Sequence, residues 1–399
     1  MTPSTRIYAG GAFAFGGQPA VDDLLASGYD TLIVWSVHVQ PDGTLVLNDT
    51  QIVEDGVYGE TEGFDLPGRI AQLKARGMSI IFSVGAGGTS DCTNIAALLD
   101  GAPAGPGNPL YDNFAALKQA MVHAGGDIDA IDFDNEDNLD ATVMANFAIT
   151  LNHIGYGSVT FCPYADQPVW FDTMGQIVAA LGASFVSAIH LQCYSGGMWN
   201  QSQLPAWIDG FAAKGGTAPM IPGLGTEQAG PGPWWHNGAP GTSVVSHADV
   251  AMYEGADWSN YLYTKNYPSA DAALQDAHTA ASFFFYCTSP MVLTNGYSFQ
   301  TGDAAFFSGV PWWGSAPQAT GYTLSGGCSD TYNGFGACPS DLQGKFASWK
   351  SQGIQLGGGF IWMYDSVISC LLSGCCGGSF SQPATTALAY RQAITNGLG

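Results

Sequence analysis

The feature that most constrains the fold is an alternation of short β-branched or aromatic runs with segments of helical spacing. Arg6 to Gly10 and Thr31 to Val39 (TLIVWSVHV) open the series. Leu66 to Gly77 has helical spacing, with Ile70, Leu73 and Lys74 ahead of a glycine stop. Met78 to Val84 (MSIIFSV) then runs into the glycine-rich turn Gly85 to Gly88, and Asn113 to Ala124 is amphipathic. Ile128 to Glu136 and Ser158 to Cys162 read as extended, Met174 to Leu181 as helical, and Phe185 to Tyr194 as extended again. Helical Trp207 to Lys214 precedes the short run Pro219 to Leu224; helical Asp341 to Gln352 precedes Leu356 to Tyr364. Strands that are apolar on both faces and separated by helices belong in a parallel sheet. Seven runs up to Leu224 and an eighth near the C-terminus predict an α/β chain closed into a (β/α)8 TIM barrel.

On this reading residues 1–226 carry strands one to seven. Residues 340–399 supply the last helix, strand eight and a C-terminal helix. Between them, 227–339 has a different composition, rich in Gly, Pro and aromatics, including Trp234, Trp235, Trp258, Trp312 and Trp313. It is expected to be an insertion at the loop face, either a subdomain walling a cleft or decoration away from it, with a helix over Ala270 to Phe283.

Charge narrows the partners. Ten Lys and Arg against 33 Asp and Glu leave a formal charge of −23, which disfavours nucleic acid and anionic membrane surfaces. Only 11% of residues are charged, so the surface must be largely neutral and polar with aromatics among it. Such a surface suits a neutral ligand that stacks and hydrogen-bonds, as an oligo- or polysaccharide does. No apolar stretch of about 18 residues is present, so no membrane span is expected. The start, MTPSTRIYAGG, has no apolar leader segment. The nine cysteines, with Cys328 and Cys338 in a Gly/Ser-rich loop and Cys370, Cys375 and Cys376 clustered, read as those of a secreted, partly disulfide-bonded protein whose leader is absent from this chain. Cys162 and Cys193 lie in apolar runs and read as buried thiols. Oligomeric state and disulfide pairing are not fixed by these observations.

Against this charge-poor background, Asp127 to Asp137 (DIDAIDFDNED) places six acids in eleven residues. Alternate side chains of a strand share a face. Asp132, Asp134 and Glu136 therefore line one side, with Ile131 and Phe133 on the other. In a barrel the acidic side points inward and Glu136 reaches the C-terminal mouth, where catalytic groups of such barrels sit. Several carboxylates in a poorly solvated interior cannot all ionise, so a proton is retained and a general acid results. A calcium loop of the EF-hand type is excluded, because Asp137 stands at its glycine position and Val143 at its glutamate position. Another divalent-metal site and a solvated acidic loop remain as alternatives.

Asp129-Ala-Ile-Asp132-Phe-Asp134-Asn-Glu136 resembles the D-G-x-D-x-D-x-E signature of glycoside hydrolase family 18, the chitinases and endo-β-N-acetylglucosaminidases. Ser83-Val-Gly85-Ala-Gly87 is similar to its strand-three motif, Pro41 to Leu45 to the end of its strand-two stretch, Gln192-Cys-Tyr194 to its strand-six Q-x-Y, and Trp362 to its strand-eight tryptophan. The matches fall in chain order and leave the insertion uncovered. The resemblance implies retaining, substrate-assisted cleavage of β-linked N-acetylglucosamine glycans, in which the substrate's acetamide is the nucleophile, with no metal or organic cofactor. By position, Glu136 would protonate the glycosidic oxygen and Asp134 would orient the acetamide. Asp132 would trade a proton with Asp134, and Tyr194 would hydrogen-bond the acetamide carbonyl. Trp362 would floor the sugar subsite, Gln192 and Tyr8 would line it, and Asp129 would complete the binding set as a structural support.

The chain departs from the family pattern at Ala130, at Asn135 and Asp137 around the acid, at Ser195 after Tyr194, and in the extra residue between Gly85 and Gly87. These departures keep open a lectin that binds without cleaving, or a barrel enzyme for another glycan or ester; a metal-dependent hydrolase is the third alternative. Ser83 and the glycines after it read as tight backbone packing, since no Lys or P-loop spacing follows. Glu227 reads as a loop acid, and the tryptophan pairs as a stacking groove or as the insertion's own core. His38, His190 and His236, without a Ser or Cys nucleophile in view, read as ordinary packed residues.

Overall fold

The computed structural model describes residues 2–59, 64–226, 338–373 and 383–399, together with seven strands between 248 and 325. The chain divides into two units, one made of Met1–Thr226, Ala337–Ile368 and Phe380–Gly399, the other of Glu227–Gly336 and Ser369–Ser379.

Of the eleven strands described in the first unit, three (Leu45–Leu47, Thr50–Glu54 and Val57–Tyr58) extend the sheet antiparallel from the second; the other eight are β1 Ser4–Ala9, β2 Thr31–Val39, β3 Ser79–Val84, β4 Ala130–Phe133, β5 Val159–Phe161, β6 Val186–Ile189, β7 Gly223–Gly225 and β8 Gly358–Trp362. From β1 to β6 each strand pairs in parallel with the next, and β8 pairs in parallel with both β7 and β1. Parallel bridges Ile189↔Met220 and Gln192↔Gly223 join the β6 segment to the β7 segment. The ring of eight is thereby continuous, in agreement with the α/β barrel expected from the alternation. The principal helices between and after the strands are α1 Gly17–Ser27, α2 Leu66–Ala75, α3 Pro109–His123, α4 Ala141–Ile154, α5 Gln167–Leu181, α6 Leu204–Ala213, α7 Pro339–Ser351 and α8 Pro383–Leu398.

Local chemistry sets the helix ends. Asp140 accepts from the backbone N–H of Thr142 at 2.8 Å and of Val143 at 3.0 Å, satisfying two donors that α4 would otherwise leave open. Gly155 ends the same helix in the left-handed conformation that a glycine adopts freely. Asn108 caps α3 with Pro109 in its first turn. The helix α4 and the shorter helix Asp91–Leu99 were not assigned from the sequence. The run to Tyr364 also ends sooner than its apolarity suggests: β8 stops at Trp362 and Tyr364 starts a helix.

Two cores follow from the strand alternation. Ile131, Phe133, Phe82 and Phe161 point outward and pack under the helices, where Phe133 stacks on Phe147 at 5.2 Å between ring centroids. Burying each such ring contributes roughly 1.5–3 kcal/mol. The inward set is smaller: Tyr8, Ile33, Ile81, Ala130, Cys162, Ala188, Tyr194, Ile221, Phe360 and Met363. Gly223 is a condition of this packing, because a Cβ there would lie 1.9 Å from the Phe360 ring.

In the second unit, Ala248–Glu254, Asn260–Tyr267, Ser282–Tyr286, Ala304–Ser308 and Leu324–Ser325 form an antiparallel sheet. Met291–Val292 pairs with Ser298–Phe299. The helix expected over Ala270 to Phe283 is corrected at its end, where Ser282 and Phe283 belong to a strand; the rest of it lies outside the described residues, as do Glu227, His236 and the five tryptophans named for this region. No helix among the described residues is long and apolar enough to cross a membrane.

Candidate active site

The acidic segment folds as its alternation suggests. Ile131 and Phe133 are buried in the outer core, while Asp132 and Asp134 face the barrel interior at 0% and 2% exposure. The strand itself ends at Phe133, so Asp134 to Asp137 lie on the loop that leaves its C-terminal end. Glu136, half-buried, is the most accessible of the three inward acids.

At the bottom of this stack Asp132 accepts four hydrogen bonds. Its Oδ2 takes Tyr8 Oη–H at 2.8 Å and Ser83 Oγ–H at 2.9 Å. Its Oδ1 takes Thr160 Oγ1–H and His190 Nδ1 at 2.9 Å. Four donors occupy about the full acceptor capacity of a carboxylate. Burial on its own would raise the Asp132 pKa, but the contacts with His190, Thr160 and Tyr8 outweigh it and hold the group below its ordinary range.

Asp134 sits above it under opposite influences. Trp35 Nε1–H donates to Oδ2 at 2.8 Å and Gln192 Nε2–H to Oδ1 at 3.1 Å. Desolvation first, then the charges of Glu136 and Asp132, push its pKa well above the ordinary value. Glu136 is raised as well, by burial and by Asp137, against a Gln192 hydrogen bond that opposes the shift. Gln192 bridges the upper two acids, since the same Nε2 lies 2.9 Å from Glu136 Oε1. One low and two raised carboxyls in a column are the arrangement that retains a proton near the mouth.

The glycines after β3 give this column room. Gly85 has φ +103°, and a Cβ there would lie 2.5 Å from Asn135 Oδ1; a Cβ on Gly87 would lie 2.8 Å from Glu136 Oε2. The Gly88 N–H donates to Asp137. Tight packing is therefore the role of this turn, as its lack of phosphate-binding groups suggested.

Aromatic rings flank the acids. Trp362 stacks on Tyr194 with centroids 5.6 Å apart and planes within 15°, and it meets Trp35 edge-on at 4.9 Å. Tyr194 is buried and Trp362 half-buried. Glu136, Asp134, Asp132, Tyr194, Gln192 and Trp362 are thus brought together.

Two expectations need correction. Tyr8 does not line an open subsite: it is fully buried beneath Trp362, with its hydroxyl spent on Asp132. Asp129 is not part of the binding set, because it precedes β4 and faces away, accepting from Lys74 Nζ at 2.8 Å and from the Ile80 N–H.

The histidine reading also changes. His190 touches Asp132 and belongs to the column. His38 does have a serine partner: Ser36 Oγ lies 3.0 Å from Nε2, and Nδ1 lies 2.9 Å from Asp91 Oδ2. Ser36 is only 1% exposed, so no substrate carbonyl can approach this Ser–His–Asp row, and it braces the end of β2. Trp35 was missed by the sequence reading. The signal was strand parity, which puts it on the inward face with Ile33. Cys92, Cys162 and Cys193 are buried free thiols. The side chains of Ser195 and Cys370, and residues Cys328, Cys375 and Cys376, lie outside what the structure describes.

No family model and no curated protein matches the chain. Among solved structures, a class V chitinase from Pseudomonas fluorescens aligns at 12% identity over 98% of this chain and 99% of its own, with a TM-score of 0.46. A chitinase from Chromobacterium violaceum aligns at 12% identity over 100% and 99%, TM-score 0.45. The spore cortex-lytic enzyme SleL of Bacillus megaterium aligns at 12% identity over 98% of this chain and 73% of its own, TM-score 0.45. At these values the likeness carries no weight for the reaction, which has to be read from the column of acids and its rings.

Trp35 offers a direct check on that geometry. Trp35→Phe keeps the ring against Trp362 and removes the N–H from Asp134, a loss of about 1–1.5 kcal/mol. Turnover is expected to fall about tenfold, with KM little changed. An equal rise in KM would place Trp35 in substrate binding instead.

Proposed function

We propose that this protein is a glycoside hydrolase of the chitinase type, secreted, cleaving β-linked N-acetylglucosamine glycans with retention by substrate-assisted acid catalysis. The observation that carries the reading is the graded column: an ionised Asp132 at the base, a raised Asp134 in the middle and a raised, accessible Glu136 at the mouth. Glu136 has the position and the proton to protonate a leaving oxygen. Asp134 stands next to it as the group that meets positive charge developing on the acetamide. The Trp362–Tyr194 pair offers apolar surface to a sugar face, and the Tyr194 hydroxyl is the donor assigned to the acetamide carbonyl. No second carboxylate pair is needed, because the substrate supplies the nucleophile. The clustered cysteines at 328 and 338 and at 370, 375 and 376 support the reading of an exported protein.

The decisive experiment is a panel of N-acetylated and deacetylated chito-oligosaccharides with an oxazoline-type inhibitor. Cleavage restricted to acetylated linkages, a β-anomeric product and inhibition in the micromolar range or below are expected. Binding without turnover would make the protein a lectin. Turnover indifferent to the inhibitor would remove acetamide participation.

A further inference from the structure

Below Asp132 lies a contact that the glycosidase reading does not use. Arg6 Nη1 is 2.7 Å from His190 Nε2, and His190 Nδ1 is 2.9 Å from Asp132 Oδ1. A guanidinium has hydrogens to donate and no lone pair to accept one. His190 Nε2 must therefore accept, its single hydrogen sits on Nδ1, and that hydrogen is donated to Asp132. The tautomer is fixed by the neighbours on either side, and the ring between them is neutral. We propose that half-buried Arg6 and buried His190 form a relay that keeps Asp132 permanently ionised, so that the exchangeable proton of the column is confined to Asp134 and Glu136.

The surroundings leave the relay few competitors. Arg6 and Tyr8 face the ring from β1, Asp30 lies ahead of β2 beside Arg6, and Ser83 comes from β3. Asp132 comes from β4 and Asp134 from the loop that follows it, and Thr160 and Cys162 come from the β5 segment. Phe360 of β8 closes the ring's edge at 5.7 Å. Among these groups Arg6 is the one cation, and it faces the Asp132 charge through His190. Burial draws the guanidinium pKa down to about 10, still well above neutrality. Burial also lowers the His190 pKa, against the pull of Asp132. Arg6 and His190 are thus positioning residues: they reach the substrate only through Asp132 and the charge it imposes on Asp134.

The kinetic consequence rests on the glycosidase reading, whereas the tautomer does not, and the test has an arm for each. Nitrogen-15 NMR of histidine-labelled full-length protein, with the His190 signal identified by its loss in His190→Gln, should show one protonated and one bare ring nitrogen from about pH 5 to 9. In Arg6→Met, Nε2 is released to take a proton opposite Asp132, and the ring should titrate. A titrating imidazole in the unaltered protein, or an unchanged one in Arg6→Met, would overturn the proposal whatever the substrate. In the pH–rate profile, Arg6→Met should gain an inflection between about pH 6 and 8 that is lost again in the Arg6→Met/His190→Gln double variant. A profile lowered in height but unchanged in shape would assign both residues a merely structural role.

Discussion

Replacing Glu136 by Gln is expected to lower turnover by about 10²–10⁴-fold, the usual contribution of a positioned general acid, and to raise the midpoint of thermal unfolding at neutral pH. The two effects share one cause. The folded protein holds this carboxyl above its ordinary range, mainly by burial and further by Asp137, with the Gln192 hydrogen bond opposing. A raised acid contributes its full stability below the unfolded value, about pH 4. That stability is lost as pH rises through the folded value. Glutamine has no charge to bury, so the variant escapes the loss. The difference in midpoint should therefore be largest near pH 7 and vanish toward pH 4. On the proposed reading, turnover by the unaltered protein should fall on the alkaline side as the same proton leaves. A variant with wild-type turnover, or one destabilised at pH 7, would remove Glu136 from the reaction.

Asp132→Ala should be the most damaging substitution for the fold, costing about 3–5 kcal/mol, because it removes the buried anion opposite Arg6 and leaves four donors without their acceptor. Tyr8, Ser83, Thr160 and His190 would each lose their acceptor at once, and Arg6 would lose the anion it serves through His190. Asp132→Asn offers no rescue, because its amide adds donors where only acceptors are wanted. Denaturant midpoints on the full chain measure the effect. Since Asp132 is held below its ordinary range, its stabilisation is present above about pH 4 and is lost as pH falls through the folded value. The stability of the variant should accordingly depend less on acid. A loss under about 1 kcal/mol would mean that the four donors find other partners and that the column is not anchored at its base.

Much of this arrangement is legible before any coordinates. The alternation of Ile131 and Phe133 with Asp132 and Asp134 fixes which side chains meet the helices and which meet the barrel axis, because a strand offers only two faces. The same parity on the β6 segment puts Ala188, His190, Gln192 and Tyr194 on one face. Gln192 and Tyr194 carry a motif along that face, whereas His190 acquires its role only from the anion it meets across the barrel. Asp129 was misplaced for a related reason: it lies one step off the inward parity, outside the strand, and is drawn to Lys74.

What the chain determines by itself is the order of strands and helices and the row of acids, since periodicity and turn chemistry act over a few residues. What only the folded barrel decides is which of those acids keeps a proton. That depends on Trp35, 99 residues from Asp134, on His190, 58 from Asp132, and on Arg6, 184 from His190. Closing a parallel ring brings such groups to within 3 Å of one another. A pKa responds to neighbours in space and to exclusion of water, and neither is a property of local sequence.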